Sequence, residues 1–143
     1  MTRSRTSAKA ATWCEIEYVT DMSALHNSNH RGHWSVGSKK RAAMRRDFGN
    51  LALAKRLEVG VMEPPVSVRV TFDFPDKRRR DLDNFEIKGL IDGIVDGGLL
   101  PDDDARNIVS VTRAAGGSSV PKGCVRLMVT LRHEGSFGVE NHG

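Results

Sequence analysis

Cysteine is scarce: only Cys14 and Cys124 occur in 143 residues. That excludes the disulfide framework that staples small secreted domains. Both lie in segments of alternating apolar residues, so buried, reduced thiols are expected. No run of ~18 apolar residues is present, which leaves no candidate for a membrane-spanning helix. Residues 1–11 are polar and basic and lack the apolar centre of a signal peptide, so a cytoplasmic protein is expected. There is no internal repeat, and the length accommodates one domain with a real core but not two. We expect a flexible basic tail over 1–11, one domain over 12–133 and a flexible tail over 134–143.

Charge is abundant but unevenly placed. The formal net charge is +4, yet the stretch from Asp81 to Asp104 holds eight acids and one base, Lys88, a local charge of −7. Four cations, Lys77, Arg78, Arg79 and Arg80, stand immediately before it. Carboxylates that converge need a cation among them, or some must be protonated. In Asp81-Leu82-Asp83 at a strand end, the period of two puts both acids on one side. Asp83 followed by Glu86 has the pattern of a capping box. Ile87, Leu90, Ile91, Ile94 and Val95 then share one helical face, and Gly97-Gly98 ends it. A strand and helix joined this way would return the later acids, Asp102, Asp103 and Asp104, to the first pair.

The rest of the chain reads as an α+β domain. Residues 13–19 alternate as a half-buried strand, with Cys14, Ile16 and Tyr18 inward. The loop 26–34 carries His26, His30 and His33, but no matching Cys or His pair elsewhere would complete a zinc site. It reads either as a polar surface loop or as a contact to DNA phosphates through Asn29, Arg31 and His33. Trp34 is then in the core or stacked on a base. Ser38 begins a helix to about Leu57, with Met44, Phe48, Leu51 and Ala52 on its apolar face. Its remaining surface carries Lys39, Lys40, Arg41, Arg45, Arg46, Lys55 and Arg56 against Asp47 alone. Like charges at helical spacing repel, and a polyanion relieves that repulsion. Residues 66–74 give the clearest strand. Ile108 to Arg113 and Val125 to Arg132 give two more strands, joined by a Gly/Ser-rich segment that reads as a hairpin loop. The total is a mixed sheet of about four strands with two main helices.

The motif Arg79-Arg80-Asp81-Leu82-Asp83-Asn84, then Lys88, Asp92, Gly98 and Asp102-Asp103, resembles the RusA-type Holliday junction resolvases. These are small dimeric endonucleases, many of them phage-encoded. The resemblance is tight over 77–104 and extends weakly upstream through Asn29–Trp34 and the basic helix. It implies a RusA-like fold and a magnesium-dependent active site made of Asp81, Asp83, Lys88 and Asp103, with Asp81, Asp83 and Asp103 on the metal. Lys88 lies five residues after Asp83, one more than the family's spacing, and the acidic triple leaves Asp102 and Asp104 open as alternatives to Asp103. Lys39, Lys40, Arg41, Arg45, Arg46, Arg78, Arg79 and Arg80 are expected on DNA.

Hard carboxylate oxygens suit Mg²⁺, or Mn²⁺, and not zinc. The triple lacks the glycine and closing glutamate of an EF-hand loop. The expected function is paired, symmetric nicking of four-way junctions or related branched DNA in recombination and repair, by a homodimer. Three other readings compete. Asp81 and Asp83 would merely pair with Arg78–Arg80 and cap a helix; the chain would be a non-catalytic basic DNA-binding module; or it would be a sugar-nucleotide transferase with an Asp-x-Asp metal site. The last needs a larger nucleotide-binding domain than this chain supplies.

Overall fold

The structure, a computed structural model, describes residues 10–27 and 34–135. The readings placed on Asn29, Arg31, His33 and the Trp34 side chain lie outside them, as do residues 1–9 and 136–143. Strand β1 (Trp13–Asp21) leads through a 3-10 turn (Met22–Ala24) to helix α1 (Trp34–Val59). Strand β2 (Val66–Asp73) follows, then a second 3-10 turn (Leu82–Asn84), helix α2 (Lys88–Asp96), strand β3 (Ile108–Ala115) and strand β4 (Cys124–His133). This is the expected α+β class with a four-stranded mixed sheet and two main helices.

Alternation shows in the burial. Val66, Val68, Val70 and Phe72 of β2 are buried, as are Val125, Leu127, Val129 and Leu131 of β4. The residues between them are exposed or half-buried. They share one core with Met44, Phe48 and Ala52 of α1 and with Leu90 and Ile94 of α2. Cys14 is buried and Cys124 partly so, both free, and burial pushes the Cys14 thiol up to about 11.

The sheet order is β1-β4-β2-β3, with β2 and β3 parallel and the other pairs antiparallel. The expected hairpin between β3 and β4 is therefore absent: β2 lies between them, and the Gly/Ser-rich segment crosses over it. Local turn chemistry cannot report this, because α2 forms the crossover that parallel β2 and β3 require. The crossing segment is pinned by Asp73, the one buried charged residue among those described. Its carboxylate accepts from Ser119 N–H and Oγ, both at 3.0 Å, and from Arg126 Nη2. Burial alone raises an acid's pKa; the Ser119 and Arg126 bonds outweigh it and hold Asp73 below its ordinary value. At the chain's edges, Ala11 bridges to Met62, and Glu134 donates its N–H to Pro65 O and accepts from Ser67 Oγ at 2.7 Å.

Helix α1 starts at Trp34 rather than at Ser38. Ser38 thus lies inside the helix, and Gly37 beside it packs on the His26 ring so closely that a Cβ there would lie 2.7 Å from it. The expected capping box also does not form. Helix α2 starts at Lys88 with Ile87 in the cap position and no side-chain cap bond. Asp81, not Asp83, makes the local cap, accepting the Asp83 N–H at 3.2 Å. Glu86 is drawn away by Arg41, at 2.6 and 3.1 Å, because a bidentate charged pair is stronger than a bond to one amide.

The two helices meet along a stripe of glycines. A Cβ at Gly89, Gly93 or Gly97 would sit 2.5, 2.5 or 2.6 Å from the carbonyl oxygens of Arg41, Arg45 and Gly49 respectively. Gly93→Ala should therefore push the helices apart. Overpacking costs about 1–3 kcal/mol, more than the ~1 kcal/mol by which alanine favours a helix over glycine. A lower urea midpoint at unchanged slope is the expected readout; an unchanged or higher midpoint would contradict the close approach.

Candidate active site and DNA-facing groove

The acids of the −7 stretch fall into two groups. Close packing of the helices brings Arg41 over Glu86, and brings Arg45 over Asp96 at 2.5 and 2.9 Å and near Asp92 at 3.9 Å. Asp92 also meets Lys88 Nζ at 3.4 Å. Asp104 accepts from Asn107 Nδ2 at 2.7 Å, from the Arg106 and Asn107 amides, and from the Arg106 guanidinium. The bond from Asn107, seconded by Arg106, holds its carboxyl below the usual range. Arg41 does the same for Glu86, and Arg45 for Asp96. Half of the stretch is thus paired inside the chain. Asp81, Asp83, Asp102 and Asp103 make no ion pair among the described residues.

This sorting narrows the open triple. Asp104 is committed to its own turn. Asp102 accepts the Asp103 amide at 2.7 Å, while the Asp103 side chain, exposed, has no bond of its own among the described residues. The reading that Asp81 and Asp83 merely pair with the preceding arginines is not realised. Arg80 turns to Asp76 at 3.0 Å instead, and Arg78 donates its amide to the same carboxylate at 2.9 Å. Asp76 was missed in the sequence; its signal is Pro75-Asp76, where an Asp bonds the amide two residues on.

Asp81 and Asp83 lie on the turn that connects β2 to α2, both exposed. They border a groove of about 450 Å³ with Arg79 and Arg80. A second groove of about 490 Å³, which shares Arg79, Arg80 and Asp81 with the first, adds Lys40, Arg78 and His26 to its lining. Lys88 opens α2 with its side chain 66% exposed. Among the described residues, no three His, Cys, Asp or Glu side chains form a metal-holding group, so Asp103 is not gathered with Asp81 and Asp83 into a three-carboxylate site. The pair alone still suits a hard cation. Mg²⁺ keeps several waters and uses one or two carboxylates with substrate phosphates, and here two carboxylates stand on one turn without a competing base.

The expected DNA-facing cations divide in the same way. Arg41, Arg45 and Arg80 are engaged inside the chain. Arg46 pairs with its neighbour Asp47 at 3.2 Å, and Lys40 reaches Leu25 O at 3.4 Å. Lys39, Arg78 and Arg79 are exposed without side-chain ion pairs among the described residues. The seven cations of α1 are therefore not all free: Arg45 meets Asp92 and Asp96 of α2, Arg41 meets Glu86 just before α2, and Arg46 and Lys55 pair with Asp47 and Glu58 on α1 itself.

No family model matches the chain. It is 32% identical over 100 residues to the crossover junction endodeoxyribonuclease RusA of Enterobacteria phage HK97, an alignment that covers 70% of this chain and 79% of that protein. No helix among the described residues is long and apolar enough to cross a membrane.

Proposed function

Because the chain belongs to the RusA family of crossover junction endodeoxyribonucleases, we propose that it nicks branched DNA, a four-way junction above all, by hydrolysing one phosphodiester at Asp81 and Asp83. The observation that carries this reading is the pair of acids left without cations beside arginines left without acids. These residues adjoin in sequence, yet the fold spends Arg80 on Asp76 instead. A scissile phosphate flanked by Arg78 and Arg79 would meet both carboxylates.

Two like charges near a phosphate repel it, so the site needs a divalent ion, and Asp81 and Asp83 would hold Mg²⁺. When bound, that ion supplies an activated water and offsets the charge that develops on the phosphate. Arg78 and Arg79 hold the phosphodiester backbone through charge-assisted bonds. Lys88, exposed and only loosely tied to Asp92, offsets charge on the leaving oxygen. Asp103, exposed and without a side-chain bond among the described residues, is the further acid the family resemblance assigns to the metal, and it would have to move toward Asp81 and Asp83 to join them.

A four-way junction has approximate two-fold symmetry, and one chain carries one such pair of acids. Paired cuts then come from a homodimer. Leu53 and Leu57 on α1, and Val109 and Val111 on edge strand β3, are exposed apolar positions where a second copy would seat.

The test is a synthetic four-way junction with and without Mg²⁺, with sedimentation of the free protein alongside. Symmetric nicks that need Mg²⁺, from a species of twice the chain mass, are expected. A gel shift without nicking at any Mg²⁺ concentration would favour the non-catalytic binding module. Paired cuts by a strict monomer would remove the dimer.

A further inference from the structure

Strand β3 lies at the edge of the sheet and is exposed from Val109 to Thr112. Exposure falls at Arg113, which stands beside Val70 in the parallel ladder. Val70 is fully buried, so the register places a cation on the core side of the strand, where an apolar residue is the default. Arg113 Nη2 donates to the carbonyl oxygen of Phe85 at 3.3 Å, while Nε is buried without a partner among the described residues. Arg113 makes no ion pair among them either. A guanidinium half-withdrawn from water, with one N–H unmatched and no carboxylate, lowers stability rather than raising it. The plain alternative is that an inward charge on an edge strand discourages pairing with another chain.

The carbonyl that Arg113 holds ends the turn that carries the acids. Phe85 closes the 3-10 turn Leu82–Asn84, donating its N–H to Leu82 O at 3.1 Å. Its ring is buried against Phe72 and Phe74, with centroids 5.7 Å apart in each pair. Its backbone bridges to Asn27, and the Glu86 N–H donates to His26 O at 2.9 Å. The core and the 26–27 segment thus hold Phe85 from two sides, and Arg113 ties it to the sheet edge from a third.

We propose that Arg113 is a positioning residue for the nuclease reaction. By holding the Phe85 carbonyl it fixes the end of the turn that presents Asp81 and Asp83, so both carboxylates keep one spacing as a metal and a phosphate arrive. It touches neither of them. The inference rests on the function proposed above for its catalytic consequence; the tie to Phe85 belongs to the free protein.

Arg113→Met removes the donor and keeps an apolar stem. It should lower kcat on a four-way junction about 10- to 100-fold, the scale expected when reacting groups shift by about 1 Å. Junction affinity without Mg²⁺, and its salt dependence, should stay unchanged. The urea midpoint should hold or rise, because the uncompensated guanidinium is gone. Arg113→Lys, which can donate to the same carbonyl, should recover part of the rate. In the free protein the amides of residues 83–86 are each bonded within the turn or to His26. They should exchange faster in Arg113→Met, while those of β2 and α2 do not.

A loss of kcat that only tracks a lower urea midpoint would make Arg113 structural and overturn the proposal. So would an unchanged rate with new self-association in sedimentation, which assigns the residue to guarding the edge strand. A salt slope flatter by about 0.9 with kcat retained would make it a DNA contact, and that too overturns the idea. Unchanged exchange over 83–86 would remove the tie itself. If Arg113→Met does not fold, the shorter Arg113→Gln carries the same comparisons, and failure of both to fold also makes the residue structural. If the wild-type protein does not nick, the catalytic reading fails while exchange still decides what Arg113 holds.

Discussion

Asp83→Asn and Asp81→Asn should each cut nicking of a four-way junction by roughly 10²–10³-fold or more, the loss typical when one group that stabilises developing charge is removed. Binding of the junction should persist or tighten, because each change removes a negative charge near DNA phosphates. The two effects must move apart, and that separates a catalytic carboxylate from a structural one. Asp83 is the cleaner case, since its side chain makes no bond among the described residues. Asp81 also accepts the Asp83 amide at 3.2 Å, but asparagine keeps a carbonyl oxygen there and can retain that cap. Later in the chain, Asp103→Asn should lose activity. Asp104→Asn should weaken the turn that precedes β3, because Asp104 serves the Arg106 and Asn107 amides. If Asp103→Asn keeps its full rate while Asp102→Asn loses it, the contributing acid lies one residue earlier. Full nicking by Asp83→Asn with Mg²⁺ present would remove the proposed site altogether.

What was legible in the sequence was whatever repeats locally. Strict alternation marked β2 and β4, and the spacing from Ile87 to Val95 marked the buried face of α2. The order of elements followed from these. What stayed hidden depends on contacts between distant residues. Apolar periodicity is blind to Gly89, Gly93 and Gly97, since glycine adds nothing to an apolar face. Yet those glycines set how closely α1 and α2 approach, and through that approach Arg41 and Arg45 find Glu86 and Asp96. Counted along one helix, the cations of α1 look unpaired; counted across two, several are spent. The −7 segment was misleading in the same way, because much of its charge is matched from α1. Strand order was hidden too: a Gly/Ser segment between two strands looks the same whether it turns back as a hairpin or crosses a third strand. The acids that matter were readable as types and spacing. That they are the unpaired ones required the fold.

The same sorting predicts where DNA binds. Changing Arg78 and Arg79 together to Ala should weaken binding to all DNA alike. Two lost phosphate contacts should flatten the slope of log affinity against log salt by about 2 units, so the deficit seen at about 50 mM salt should shrink roughly tenfold by about 200 mM. Changing Arg41 and Arg45 together to Ala removes the same formal charge from a helix that looks far more basic, and should leave the slope unchanged. Those guanidiniums already hold Glu86 and Asp96, so no counterions are released when DNA arrives. Their loss should appear in stability instead, and modestly, because solvent screens exposed ion pairs. Filter binding at several salt concentrations, with a urea melt of each variant, separates the two cases. If the α1 variant flattens the slope and the Arg78/Arg79 variant does not, the duplex lies along the helix, and the grooves beside Asp81 are not where the backbone runs.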